Sequence, residues 1–353
     1  MPSRREATES ERKTAIMEAS FRALIVTQTT DTFAVEIRQM RPEELPAGEV
    51  LIRVAYSAVN YKDALVCTHN GKVAQTSPLV PGIELTGIVV ESSDSRFRAG
   101  DRVMAHDFGH RLGTSQHGGY SEYARVPGDF VTALSPELGF KQVLVLSGGV
   151  AALMGLNELE KAGLTPQKGP VLVTGATGGV GSLAIGLLSH RGYTVAASTG
   201  KPDAADYLRR LGASEILSRA ETSAESTRPL EAERWAGSID SVGGATLAYL
   251  MRTTKRGGAI AAIGVTGGPA FHSTVFPFIL RGIKVLGVDM PSTPMPARRQ
   301  LWEQIKNEAG LLNLAESIIS EVTLDDIPKV SQAMLRGQTR GRVLVRIGEQ
   351  DGT

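Results

Sequence analysis

The chain has 353 residues, 42% of them hydrophobic, which suits two domains of ordinary size with substantial cores. Thirty-eight Lys and Arg against 37 Asp and Glu leave a formal net charge of +1, so no electrostatic footprint for nucleic acid or a membrane surface is expected. Cys67 is the only cysteine, which excludes an intrachain disulfide and a zinc site built on several thiolates, and fits a reducing compartment.

The first twenty residues are polar, with Glu6, Glu9, Glu11 and Glu18 among them. They resemble neither an acid-poor transit peptide nor a secretory signal, so residues 1–20 read as a disordered extension and the expected location is cytoplasmic. Short apolar runs at 23–26, 50–56, 88–90 and 103–105 predict strands. They are separated by Pro46-Ala-Gly48, Pro81-Gly82 and Ala99-Gly-Asp101, so a β-rich domain is predicted over 21–145. The pattern then changes to strands at 171–173, 194–197, around Ile239, 259–263 and 284–287, with helices at 183–188 and 203–211. That alternation predicts an α/β domain with a doubly wound parallel sheet over 146–290. A helix near 298–308 and a strand at 341–347 are assigned back to the first domain, giving it 291–353. No run reaches the ~20 apolar residues of a membrane helix, so no membrane partner is expected.

The strongest local signal is Val171-Leu-Val-Thr-Gly-Ala-Thr-Gly-Gly-Val-Gly181. A strand enters glycines at Gly175, Gly178, Gly179 and Gly181, and a helix follows. Glycines permit the tight turn, and backbone N–H groups at the helix N-terminus suit a pyrophosphate. Thr177 and Val180 belong to the same loop. The order strand, loop, helix favours a nucleotide site over an empty turn.

An NAD site usually places an acid about 20 residues beyond this loop, on the ribose hydroxyls. Here the next strand ends in Ser198-Thr199-Gly200-Lys201, two hydroxyls and a lysine suited to a 2′-phosphate. The expected cofactor is therefore NADPH. Asp203, behind Pro202, reads as an acid favouring a helix N-terminus.

With these residues in view the chain resembles the medium-chain dehydrogenase/reductase superfamily, quinone-oxidoreductase branch, and within it the acrylyl-CoA reductase group. The resemblance runs from Phe21 to Ile347. It rests on Asn60-Tyr-Lys-Asp63, Pro81-Gly-Ile-Glu-Leu-Thr-Gly87, Phe97-Arg-Ala-Gly-Asp-Arg-Val103, His117-Gly-Gly-Tyr-Ser-Glu-Tyr123 and the glycine loop. Narrower matches are Trp235-Ala-Gly-Ser-Ile-Asp-Ser-Val-Gly243, Pro277-Phe-Ile-Leu-Arg281 and Gly287-Val-Asp289.

The resemblance implies a GroES-like β-rich domain beside the Rossmann domain, an active site in the cleft between them, and a homodimer formed by Rossmann sheet edges. It implies that Asn60, Tyr61 and Asp63 are the catalytic residues. Asn60 would donate to the substrate carbonyl or cofactor ribose, Tyr61 would also contact the cofactor, and Asp63 would orient its neighbours. Ser147, Gly264, Val265 and Gln338 are further expected cofactor contacts, and Arg298 and Arg299 are candidates for CoA phosphates. Leu146 departs from the family run by replacing a glycine, a side chain expected to narrow the nicotinamide end. Where zinc-dependent relatives carry a cysteine and a histidine ligand, this chain has Asn60-Tyr61 and Ile83, so no metal is expected. His106 and His110 read as ordinary loop histidines.

The expected reaction is NADPH-dependent hydride addition to the β-carbon of an α,β-unsaturated thioester, acrylyl-CoA to propionyl-CoA. The alternatives are an NADPH:quinone or small enone reductase, and a non-catalytic NADPH-binding protein.

Overall fold

The computed structural model describes residues 20–69, 71–308, 311 and 314–348. The extension expected over 1–20 lies, but for Ser20, outside the described residues. The chain divides into two compact units. Unit 1 holds the residues up to Leu144 with Glu321–Arg336 and Leu344 onward, and unit 2 holds Val145–Ser320 with Gly337–Val343. Of the stretch 291–353 expected with the first domain, the described residues of 291–320 and Gly337–Val343 thus belong to the second.

Unit 1 is built on β-strands. β1 (Phe21–Gln28) pairs antiparallel with β2 (Phe33–Met40). Burial alternates along most of β2, as period-2 side chains on a half-exposed ribbon require. A second sheet uses β3 (Val50–Val59), β4 (Glu84–Ser92), β5 (Arg102–His106), β6 (Tyr123–Val126), β7 (Val131–Ala133), β14 (Ile319–Thr323) and β15 (Arg342–Arg346). Its order is β14-β15-β3-β4-β5-β7, with β6 also on β3. Val50, Ile52, Val54, Leu85, Val89 and Val103 form its buried centre. Helix α1 (Tyr61–Val66) follows β3 directly.

Unit 2 is a six-stranded sheet of β8 (Val171–Val173), β9 (Val195–Thr199), β10 (Ala213–Ser218), β11 (Trp235–Asp240), β12 (Thr254–Ala262) and β13 (Lys284–Gly287). Its order is β10-β9-β8-β11-β12-β13, and every pairing is parallel. In chain order that is 3-2-1-4-5-6, the doubly wound order of dinucleotide-binding sheets. β8, β9 and β11 are buried at every residue, as central strands of a sheet covered on both faces are, although only β8 is apolar throughout.

Helix α2 (Phe140–Lys161) escaped the sequence reading because it is apolar on most sides and interrupted by Gly148-Gly149. It is 22 residues long and by length and composition apolar enough to cross a membrane, yet most of it is buried inside the protein. A Cβ on Gly148 would stand 2.9 Å from Arg342 Nε, so this glycine leaves room for a buried arginine. Leu146, expected to narrow the nicotinamide end, is fully buried in the core.

Candidate active site

The glycine loop joins β8 to α3 (Gly179–His190), with Gly178 at the N-cap. Gly175 turns the chain at φ +58°, a conformation costly for residues with a Cβ. A Cβ on Gly181 would lie 2.5 Å from Gly175 O and 2.8 Å from Ala176 Cα, so only glycine lets the helix start this close to the turn. The first-turn N–H groups of Gly179, Val180 and Gly181 have no carbonyl within the helix to bond. Together with the helix dipole they form an anion site suited to a diphosphate.

The far side of this loop is closed by the segment that returns from the C-terminus. Gly341 N–H donates to Thr177 O at 2.9 Å, and Lys201 Nζ donates to both Thr177 Oγ1 (2.8 Å) and Thr339 O (2.6 Å). Gln338 is exposed on this strap. Burial and the nearby Arg340 and Arg219 guanidinium groups push the Lys201 pKa down, with Asp203 opposing them. Arg219 packs against Gly200, its Cζ 3.1 Å from where a Cβ would stand. Three cations thus gather at the C-terminal end of β9.

The hydroxyls expected beside Lys201 are otherwise engaged. Ser198 is buried and bonds Thr222 Oγ1 at 2.5 Å, while Thr199 Oγ1 accepts the Lys201 N–H at 3.1 Å. They fix the strand end, and the cations left to face a phosphate are Lys201, Arg219 and Arg340. The two arginines were not singled out from sequence, because they lie 18 and 139 residues beyond Lys201. Asp203 stands, as expected, in the first turn of a short helix behind Pro202, and it also accepts a hydrogen bond from Arg340.

Two further strand ends are fixed by one buried acid. Asp240 Oδ1 accepts from Thr174 Oγ1 (2.5 Å) and Val242 N–H (3.1 Å), and Oδ2 from Gly243 N–H (3.1 Å). Burial raises its pKa and these bonds oppose the rise. This explains the Asp240-Ser-Val-Gly243 run: the acid ties the ends of β8 and β11 together. Gly264 and Val265 follow β12, with Gly264 N–H on Asp240 O at 3.2 Å and Val265 53% exposed. Ser147 is buried on α2.

In unit 1, Asn60 caps α1 in a capping box with Asp63. Asp63 is fully buried. Its Oδ2 accepts the Asn60 N–H (2.9 Å) and Nδ2–H (3.2 Å), and its Oδ1 accepts the N–H groups of Gly82 (3.2 Å) and Ile83 (2.9 Å). Burial drives its pKa up to about 7, with neighbouring Glu84 adding to the rise and the N–H donors opposing it. The other hydrogen of Asn60 Nδ2 goes to Glu84 Oε1 at 2.8 Å. Two acidic side chains flank this amide, which fixes its nitrogen toward them.

Both amide hydrogens of Asn60 are therefore spent. Contrary to expectation, this side chain cannot donate to a substrate carbonyl while the network is intact. Glu84, quoted only as part of a motif, is the partner the sequence reading missed. Tyr61 is half-buried at the first position of α1, and its hydroxyl has no hydrogen-bond partner among the described residues.

Arg298 also departs from its expected role. It is buried, and its guanidinium donates to the carbonyls of Thr293 (3.0 Å), Met290 (2.7 Å) and Pro291 (2.6 Å). It holds a turn together and offers nothing to a CoA phosphate. Arg299 is exposed.

A nucleotide-binding parallel sheet joined to a β-rich unit defines a two-domain nicotinamide-dependent oxidoreductase. Residues 46–136 match the alcohol dehydrogenase GroES-like domain, and residues 179–307 match the zinc-binding dehydrogenase family. The acrylyl-CoA reductase AcuI of Ruegeria pomeroyi is 42% identical over 93% of this chain and 99% of its own. The yhdH oxidoreductase of Salmonella enterica, solved in complex with NADP, is 41% identical, with TM-score 0.87 over 93% of this chain and 100% of its own. Bacillus subtilis YhfP, provisionally named a quinone oxidoreductase, is 42% identical over 94% of this chain and all of its own; its structure, solved with NAD bound, matches with TM-score 0.86 over 93% and 100%. The chain belongs to the medium-chain dehydrogenase/reductase superfamily, in the group of acrylyl-CoA reductase and YhfP-type quinone oxidoreductase.

The zinc in the second family's description does not fit the donors present. Asn60 and Ile83 are not ligands for zinc, Cys67 is buried with its thiol pKa pushed up to about 12 by burial, and among the described residues no three His, Cys, Asp or Glu side chains are grouped to hold a metal. His106 ends β5 with Nε2 3.8 Å from Glu84 Oε2, while His110 Nδ1 lies 3.3 Å from Lys62 Nζ.

Proposed function

We propose that this chain is a zinc-independent, NADPH-dependent reductase that saturates a C=C bond conjugated to a thioester carbonyl, with acrylyl-CoA reduced to propionyl-CoA. The observation that carries the cofactor choice is the cluster of Lys201, Arg219 and Arg340 at the end of β9, where an NAD site would present an acid to the ribose. The substrate choice is supported by the 42% identity to the Ruegeria enzyme.

Gly175, Thr177, Gly178, Gly179, Val180 and Gly181 would cradle the diphosphate. Lys201 with Arg219 and Arg340 would hold the adenosine phosphate, on a strand end that Ser198 and Thr199 fix, and Ser147, Gly264, Val265 and Gln338 would complete the cofactor site. When bound, the cofactor supplies the hydride that the substrate β-carbon receives, and a proton taken up at the α-carbon completes the saturation. Tyr61, with its hydroxyl unengaged, is the residue to contact substrate or cofactor. Asn60 and Asp63 are positioning residues: they lock the start of α1, and with it Tyr61, against the turn at Gly82 and Ile83.

Rates of NADPH oxidation with acrylyl-CoA, a quinone and a simple enone test this reading. It expects the thioester to have the highest kcat/KM, and a quinone preference would overturn it in favour of the second reading, an NADPH:quinone or small enone reductase like the relative YhfP. Lys201→Ala is expected to weaken NADPH by about 1.5–3 kcal/mol, and NADH much less. Equal losses would refute the phosphate assignment.

The proposed partner is a second copy of the chain. On α4 (Phe276–Arg281) Ile279 is 67% exposed, with Phe276, Phe278 and Leu280 also exposed, and beside them β13 ends the parallel sheet with Val285 exposed. An unpaired edge next to apolar side chains favours edge-to-edge association. Light scattering is expected to show a dimer that Ile279→Glu converts to a monomer. The cytoplasm, where NADPH and reduced thiols are supplied, is the compartment consistent with this activity.

A further inference from the structure

The cation cluster at the end of β9 contains an anion. Asp203, in the turn Pro202–Ala204, accepts a hydrogen bond from Arg340 Nη2 across 137 residues of sequence. That bond first, and the charges of Arg340 and Lys201 with it, hold the Asp203 carboxyl below the usual carboxylate range. Its side chain is 76% exposed, so it fills no core. The strap carrying Arg340 is held in place without it, by Lys201 Nζ on Thr339 O and by Gly341 N–H on Thr177 O. The Asp203–Arg340 pair is thus not needed to build the site. It stands where a 2′-phosphate would seek Arg340.

We propose that Asp203 is a specificity-determining residue: its carboxylate holds Arg340 until the cofactor binds, so that a 2′-phosphate must displace it, and this competition sets how strongly the protein prefers NADPH to NADH. The proposal rests on the NADPH reading above. A phosphate monoester carries roughly −1.5 to −2 charges and three acceptor oxygens, so it wins the guanidinium and also engages Lys201 and Arg219. The hydroxyl of NADH carries no charge and leaves the Asp203–Arg340 pair intact. The cost of breaking the pair therefore falls on NADPH alone, and the acid moderates a preference that three unopposed cations would make steeper. The relatives make the question real, since one is solved with NADP and another with NAD.

Dissociation constants of NADPH and NADH, measured by fluorescence titration of the full chain at one ionic strength, test this in Asp203→Asn, Arg340→Met and the double variant. Asp203→Asn is expected to tighten NADPH about fivefold, near the upper worth of an exposed ion pair, and to leave NADH within about twofold. In the Arg340→Met background the same change is expected to alter NADPH by less than about twofold, because no guanidinium remains to be released. Three results would overturn the proposal: no tightening of NADPH, an equal gain for NADH, or a gain that persists without Arg340 and so reports only the general field. Failure of the NADPH reading shows itself separately, as a wild-type protein that binds neither nucleotide or prefers NADH.

Discussion

The Asp63 network and the Lys201 cluster are both dense in charge, yet one is sealed and the other open. Asp63 and Glu84 are buried, and the Asp63 carboxyl meets four N–H donors, the Asn60 amide among them. Lys201 is half-buried, and the arginines around it lie at the surface or part-buried. A sealed network fixes geometry, because any group leaving it exposes a buried partner to a cost of about 1–3 kcal/mol. An open cluster of like charges is unfavourable on its own and becomes favourable when an anion arrives. Acids and an amide thus serve position in one unit, while the proposed role of the cations in the other is recognition of an anion.

The strongest way to break this comparison is to remove the anion site without touching a charge. Gly181→Val drives a Cβ into Gly175 O and Ala176 Cα. It is expected to weaken both NADPH and NADH about 100-fold or more by calorimetry, near 3 kcal/mol. Retained affinity would mean that the cations alone hold the cofactor.

The sealed side is broken by Asp63→Asn, which faces four N–H donors with an amide in place of the acid. A loss of about 2–4 kcal/mol in unfolding free energy is expected. The acid also gives the protein a pH signature. Its folded pKa, about 7, lies above the ordinary aspartate value of 3.8, so the folded state holds the proton more tightly. Its contribution is favourable at low pH and is lost as pH rises from near 4 through about 7. The gap in melting temperature between wild type and Asp63→Asn is therefore expected to narrow across that window.

Arg298 and Arg299 sharpen the comparison within a single dipeptide. Arg298→Ala removes donors from three carbonyls and is expected to cost about 1–3 kcal/mol of stability. Arg299→Ala is expected to change stability by less than about 0.5 kcal/mol. If Arg299 meets a CoA phosphate, its loss raises KM for the CoA ester while kcat holds; an unchanged KM would remove it from the substrate site.

The glycine loop was legible in the sequence because its chemistry is local: strand, turn glycines and helix follow one another, and each glycine answers a contact within a few residues. The Rossmann alternation was legible for the same reason. The β-rich unit was read as strands but not as an order, since its sheet pairs β3 with strands far along the chain. Helix α2 was missed because a buried helix shows no amphipathic period.

What the sequence by itself determined was the class of the fold, the glycine turn at 175–181 and the Ser-Thr-Gly-Lys ending of β9, with no acid on the strand itself. Those are properties of residue type and spacing. Only the tertiary structure decided that Asn60 is already bonded on both amide hydrogens, that Arg298 is inside, that the described residues of 291–320 pack with the second unit, and that Arg219 and Arg340 stand beside Lys201 with Asp203 as their counter-charge. A side chain's chemistry depends on which partners remain to it, and partners brought together from distant segments are chosen by the fold.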